Sequence, residues 1–257
     1  MAFERYIGID YSGAQTPSDS LRGLRMYVAD RHSMPVEMPP PAGPKKYWTR
    51  RGIAERLVEM FSEGTPTLAG IDHGFSFPLR YFEKYRLPRH WGDFLDDFHL
   101  HWPTDDANTY VESIREGVRG YGEARTGRST WRRITEIRTR RAKSVFHFNV
   151  QGSVAKSTHS GLPWLRFIRS RTNVHFWPFD GWQIAAGRSA VAEVYPALWS
   201  KGFPQEDRDA HQQDAYSIAA WLRRADMEGS LGGFFEFYLE EKERKVAEIE
   251  GWILGVV

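Results

Sequence analysis

The sequence contains no cysteine, which excludes disulfides and thiolate-bound zinc. The absence suits a reducing compartment, so a cytoplasmic location is expected. The opening Met1-Ala2-Phe3-Glu4-Arg5 lacks the apolar core of a signal peptide. No apolar run approaches the length of a membrane span, so no membrane partner is expected. Charge of one sign is also scarce overall: the net charge is +2, and the molecule is not a polycation. There is no solenoid-length repeat and no low-complexity tract. What remains is a chain of 257 residues, 41% hydrophobic and 26% charged. It is long enough for one large domain with a substantial insertion.

The charge is nevertheless uneven. Arg115, Arg119, Arg125, Arg128, Arg132, Arg133, Arg138, Arg140 and Arg141 dominate the stretch to Lys143, and Asp93, Asp96, Asp97, Asp105 and Asp106 precede it. A local basic patch binds phosphate even near zero net charge. The plainer reading is a solvated helix paired with the acidic stretch.

Periodicity divides the chain into an α/β frame and an interruption. Arg5 to Asp10 reads as a short buried strand, Leu21 to Asp30 as an alternating second, and Ser33 to Met38 as a third before Pro39-Pro40-Pro41. Thr49 caps a predicted helix to about Ser62, with Ile53, Leu57, Val58 and Phe61 as its stripe. Thr67 to Asp72 is a fourth strand, and the crossover through the helix predicts that it runs parallel to the first. Residues 79–160 break this pattern and read as a helical insertion, with helices near Thr109–Val118 and Ser129–Lys143. The pattern then returns. A helix starts near Gly161–Pro163 and runs to Arg171, followed by strands at Val174–Trp177 and Ser189–Tyr195. Helices over Gln205–Arg224 and Leu231–Trp252 close the chain.

Four acids stand out against this frame. Gly8-Ile9-Asp10 and Gly70-Ile71-Asp72 are identical, and each closes a predicted strand. If the strands are parallel neighbours, both aspartates lie at the sheet edge where open α/β sheets bind ligands. Two carboxylates there repel unless a proton or a cation neutralises them. Taken singly, each is a turn former. Glu193 interrupts the apolar Ala190–Tyr195 run, as a ligand or as an edge-strand acid facing water. Helical spacing aligns Asp214 with Ala210, Ile218, Trp221 and Leu222, so it points inward, toward a metal or a buried arginine. Asp207 shares that stripe, and His211 is placed to orient a carboxylate or touch a phosphate. Magnesium or manganese suits an all-oxygen set, and paired ions support phosphodiester cleavage.

At these residues the sequence resembles the DUF429 family, described as predicted nucleases of the ribonuclease H-like fold. The resemblance is carried by Gly8-Ile9-Asp10, Gly70-Ile71-Asp72 with Phe77-Pro78, Glu193-Val194-Tyr195-Pro196, Asp214-Ala215 and the closing Glu250-Gly251-Trp252-Ile253-Leu254-Gly255. It spans about residues 4–78 and 189–224, and the middle third is not diagnostic. The resemblance implies a mixed five-stranded sheet with an antiparallel second strand, flanked by helices. Residues 1–257 would form one such domain carrying the 79–160 insertion. It also implies Asp10, Asp72, Glu193 and Asp214 as the catalytic and metal-binding set.

The expected function is therefore a Mg2+- or Mn2+-dependent nuclease acting on DNA or RNA. Arg132, Arg133, Arg140, Arg141 and His211 are its candidate contacts to nucleic acid. The alternatives are a non-enzymatic binding module with a vestigial acidic site, and an actin-like ATPase or phosphotransferase suggested by Asp10-Tyr11-Ser12-Gly13-Ala14-Gln15-Thr16. Two signals carry less. His99 and His101 with Asp97 form a weak zinc pattern on a strand. Lys156-Ser157-Thr158 lacks the upstream glycines of a phosphate loop.

Overall fold

The computed structural model describes residues 3–139, 142–150 and 152–257. Its centre is a six-stranded mixed sheet of order β3-β2-β1-β4-β6-β5. The central strand β1 (Arg5–Asp10) pairs antiparallel with β2 (Arg25–Asp30) and parallel with β4 (Thr67–Ile71). The outermost strand on the β2 side, β3, is only Val36–Glu37. On the other side β6 (Ala190–Glu193) lies parallel to β4, and β5 (His175–Trp177) lies parallel to β6. The sheet thus has six strands rather than five. The extra one is the three-residue edge strand β5, a segment whose own pattern reads as a strand.

Helices cover both faces. The helix α1 (Arg50–Ser62) starts where expected, with Thr49 Oγ1 accepting from the Gly52 N–H at 2.9 Å. It buries Ile53, Leu57 and Met60 and packs beside α6 (Ala155–Arg169) on the face lined by Ile7, Ile9, Ile71 and Val191. The opposite face carries α7 (Ala210–Met227), whose Ile218 and Leu222 meet Tyr6, Leu68 and Ala192. Among the described residues, no helix is long and apolar enough to cross a membrane.

The interruption is helical but more broken than its pattern suggests. It holds α2 (Leu79–Tyr85), α3 (Trp91–His101), α4 (Val111–Arg115) and α5 (Ile134–Arg138). Its aromatics Phe77, Phe94, Phe98, Trp102 and Phe146 join the core on the α1–α6 face. The helix read over Ser129–Lys143 shrinks to α5, because Arg132 and Arg133 turn inward. Conversely, α6 begins at Ala155, ahead of the Gly161–Pro163 start. Pro163 sits mid-helix, where its missing N–H orphans the His159 carbonyl. Thr104 Oγ1 supplies the donor instead, at 2.7 Å.

The single long helix read over Leu231–Trp252 is two, α8 (Leu231–Phe235) and α9 (Glu241–Glu250). Between them Phe237 turns onto Trp182 and Trp252, with centroids 5.8 and 5.3 Å away, and this packing outweighs helix continuation. The closing segment then returns to the sheet, where Ile253 bridges Glu193 in parallel fashion.

Candidate metal centre

Both Gly-Ile-Asp repeats end at one edge. Gly8 pairs with Gly70 and Ile9 with Ile71, and the Asp72 N–H donates to the Ile9 carbonyl at 3.0 Å. The glycines have a packing reason. A Cβ on Gly8 would stand 2.1 Å from the Ala215 carbonyl oxygen, and one on Gly70 would stand 2.7 Å from Ile218. These positions therefore let α7 press onto β1 and β4. Side chains alternate along a strand, so Asp10, two residues after Gly8, faces α7. Asp214 precedes Ala215 on that helix and arrives at the same place.

The electrostatics reflect this convergence. Asp10 is buried, and burial pushes its carboxyl above the ordinary range. Opposing that, His211 Nδ1 pairs with Asp10 Oδ2 at 2.7 Å. Asp72 is raised well above the usual range, first by burial and then by the charges of Asp10, Asp214 and Glu193 in that order. Asp214 is raised to about 6, by burial and then by Asp10. His211 is raised, chiefly by its bond to Asp10. Three aspartates are thus held near one another, with the half-exposed His211 paired to Asp10. Their oxygens do not close on a common point. Among the described residues, the group of acids and histidines with ligand atoms all within 4.8 Å of one another is His99, Asp105 and Asp106.

Glu193 behaves differently. It shares the Val191 side of β6, away from α7. Arg133 grips both its oxygens, Nη1 to Oε2 at 2.7 Å and Nη2 to Oε1 at 2.5 Å, and the Phe75 N–H adds a third bond at 3.0 Å. Arg133 also binds Glu136 at 2.8 Å. Burial works against its charge, but Glu193 and Glu136 reverse that and raise its pKa. Glu250 completes the knot by accepting the Leu79 and Ile134 N–H groups at 2.6 and 2.7 Å. The buried arginine bridge weighed for Asp214 is therefore found at Glu193. Asp72 touches both groups, since it lines with Glu193 and Arg133 a cavity of about 20 Å³, room for about one water.

The expected phosphate contacts change accordingly. Arg133 is buried and committed to carboxylates, so it does not face solvent as a backbone contact would. Arg132 donates to the carbonyls of Glu136 and of Ala142, the latter at 2.9 Å. Arg140 and Arg141 lie outside the described residues. Arg125 pairs with Asp97 through two bonds of 2.8 Å, as the surface-pairing reading anticipates. Asp207 is exposed and precedes α7, which Asp209 caps instead. The weak zinc pattern dissolves: His99 and His101 sit on α3, a helix, and His99 pairs with Asp105 at 3.2 Å.

Sequence reasoning passed over Lys156. With Asp10, Ser12, Ser157 and His211 it lines an open cavity of about 240 Å³. Lys156 and Ser157 stand in the first turn of α6, a 15-residue helix. A helix N-terminus favours an anion. Lys156 also pairs with Glu112. The signal was the Lys-Ser-Thr run opening a helix, set aside because no glycine loop precedes it. Its neighbour is Gly13 instead, where a Cβ would stand 2.2 Å from the Lys156 carbonyl.

Comparison of the chain with protein-family models, with curated proteins and with solved structures finds no match. The resemblance to the DUF429 family therefore rests on the quoted motifs alone.

Proposed function

We propose that the protein is a Mg2+- or Mn2+-dependent phosphodiesterase of nucleic acid, built on a ribonuclease H-like variant of the mixed sheet. One observation carries this reading: Asp72 and Asp214, both raised by burial and by the charge of Asp10, stand beside an Asp10 that opens onto a cavity also holding Lys156 and the first turn of a long helix. The donor set fits a hard divalent ion, because it is all carboxylate and its members gain most from a cation. Asp10, Asp72 and Asp214 would hold the metal. A bound divalent ion supplies Lewis-acid activation of water and neutralises phosphate charge.

The chain's own residues do the rest. Lys156 and the N–H groups opening α6 orient a phosphate toward Asp10. His211 fixes the Asp10 carboxylate through Nδ1, which leaves its other nitrogen to carry a proton to a leaving oxygen. Glu193 and Arg133 support Asp72 from beneath without touching substrate.

Purified protein with Mg2+ or Mn2+ and labelled single- and double-stranded DNA and RNA tests this. Metal-dependent cleavage that is lost in Asp10→Asn and Asp72→Asn is expected. No cleavage of any substrate, or full cleavage by both variants, would overturn the proposal. The unconverged oxygens and the inward arginines favour a second reading, a binding module without turnover, which predicts salt-sensitive nucleic-acid binding indifferent to metal.

A further inference from the structure

Arg50 and Arg133 are the most deeply buried arginines of the described residues, 0% and 1% exposed, yet their charges are met differently. Arg133 holds two glutamates. Arg50, the first residue of α1, holds carbonyls instead. Its Nη1 donates to the Ser12 and Ala14 oxygens at 3.3 and 2.6 Å, and its Nη2 to the Gln15 oxygen at 2.8 Å. Its Nε has no partner among the described residues. The carboxylates whose charges reach it are Asp19 and Glu112, and both are engaged elsewhere. Asp19 accepts from the Thr16 N–H and hydroxyl at 2.8 and 2.7 Å, and Glu112 pairs with Lys156. A guanidinium does not lose its proton in a protein. A buried charge without a counter-charge is costly, and three carbonyl dipoles offset part of that cost. An anion on the far side of the same peptides would offset more.

That far side is the open cavity beside Asp10. Ser12, Gly13 and Ala14 line it, and Arg50 does not. The Ser12 and Ala14 oxygens point to Arg50 and so are turned from the opening. In a trans peptide the N–H that follows points opposite to the carbonyl. The Gly13 and Gln15 N–H groups therefore face away from Arg50, and neither has a partner among the described residues. Gln15 holds a positive φ of 53°, and the Thr16–Asp19 bonds close the loop behind it. Each of these peptides has a buried cation at its oxygen and a free N–H at its other end, which is how a backbone nest binds an anion. The rest of the wall agrees. Lys156 and His211 are half-exposed, and the single acid in the wall, Asp10, is already paired with His211. A cation would find the loop oxygens taken.

We infer that the Ser12–Gln15 loop is a phosphate seat charged from behind by Arg50. One phosphate oxygen accepts from the Gly13 N–H, the Gln15 N–H adds to it from the exposed end of the loop, and Lys156 Nζ reaches a second oxygen. Arg50 is a positioning residue: it acts through the peptides and does not touch the ligand. The inference deepens the proposed function and rests on it for one point, that the phosphate belongs to nucleic acid. Its own content is that this loop holds the phosphate without metal.

The test is titration of the full chain in EDTA, at fixed ionic strength, read by 15N–1H resonances. The probes are inorganic phosphate, chloride and a thymidine dinucleotide whose one phosphate is bridging. Phosphate and the dinucleotide are expected to move the Gly13 amide proton downfield and to saturate, whereas chloride leaves it in place. Arg50→Met should weaken phosphate binding by about ten-fold. Arg50→Lys keeps the charge and should recover most of that loss, whereas a role in folding alone would leave the affinity of the folded protein unchanged in both variants. Lys156→Gln, on the exposed rim, should weaken binding by about five-fold or less. A Gly13 amide that stays still, or that moves equally with chloride, would overturn the inference, and this readout stands even if Arg50→Met fails to fold. A response to inorganic phosphate without one to the dinucleotide would overturn the assignment to nucleic acid. Phosphate binding by a protein that never cleaves sinks the nuclease proposal alone. Metal-dependent cleavage with a silent Gly13 amide sinks this inference alone.

Discussion

The two sides of one sheet edge bury acids in opposite ways. On the α7 side burial raises Asp10, Asp72 and Asp214, the charge of Asp10 raises the other two further, and His211 pairs with Asp10. On the other side Glu193 and Glu136 share the buried Arg133, and Glu250 accepts two backbone N–H groups. A buried carboxylate needs a cation or donors. The second group carries its own, whereas on the first side the pairing partner is His211, on Asp10. Closeness of carboxylates is common to both; the proposed function has the first group take its cation from solution. Arg133→Ala should make the two sides alike by stranding Glu193 and Glu136. It is expected to cost roughly 3–5 kcal/mol, measured by urea unfolding at pH 7. A loss below about 1 kcal/mol would mean that the pair is not structural.

Asp72→Asn works in the other direction. Removing the charge that burial and three neighbouring acids oppose should stabilise the metal-free protein at pH 8. The gain should reach at least about 1.4 kcal/mol, the worth of one pKa unit. The same change should abolish any rise in melting temperature with Mn2+. A variant that keeps the full Mn2+ shift would remove Asp72 from the metal set. Glu193→Gln should reverse both signs, destabilising the protein while leaving a Mn2+ shift in what remains folded.

Much of this contrast is legible in the sequence, and the illegible part has a physical cause. The Gly8-Ile9-Asp10 and Gly70-Ile71-Asp72 repeats give strand type, parallel pairing and the shared edge, because local alternation and crossover handedness decide them. Asp214 is placed on the inward side of its helix by spacing alone. The repeat does not reveal that its glycines exist for α7 to cross close above them. Nor does it reveal that Glu193 is already neutralised. Arg133 is 60 residues away from Glu193 in a stretch dense with arginines, and nothing local separates the inward one from exposed neighbours such as Arg128. Long-range pairing also explains the broken helices: Phe237 packs on Trp182 and Arg133 reaches Glu193, and these contacts outweigh local propensity.

Acidity probes the comparison at intermediate strength. Folding raises the Asp214 pKa from the ordinary 3.8 to about 6. Its contribution to stability is therefore fully present below about 4 and is lost as the pH climbs through 6. Metal needs the deprotonated form, so Mn2+ affinity should rise over the same window. Unfolding of the wild type and of Asp214→Asn from pH 4 to 8 isolates this group, because the acids around Arg133 are common to both proteins. The wild type should lose stability relative to the variant between pH 4 and 6, and saturating Mn2+ should cancel the difference. A constant gap across that range would deny Asp214 its raised pKa.

The smallest expected effect belongs to His211, and it asks how far the α7 side is preorganised. Its Nδ1 holds one oxygen of Asp10 at 2.7 Å while half of its side chain faces solvent. As a partner outside the metal's own ligands it should matter by orientation, about ten-fold in Mn2+ affinity for His211→Ala, the low end for such partners. The loss should exceed that of His211→Asn, whose amide can still donate to Asp10. The bond also opposes the burial that raises Asp10, so without it Asp10 keeps its proton to higher pH. The affinity deficit of His211→Ala should therefore be larger at pH 6 than at pH 8. A deficit equal at both values would leave His211 an orienting contact only, and no deficit at either would detach it from the metal site altogether.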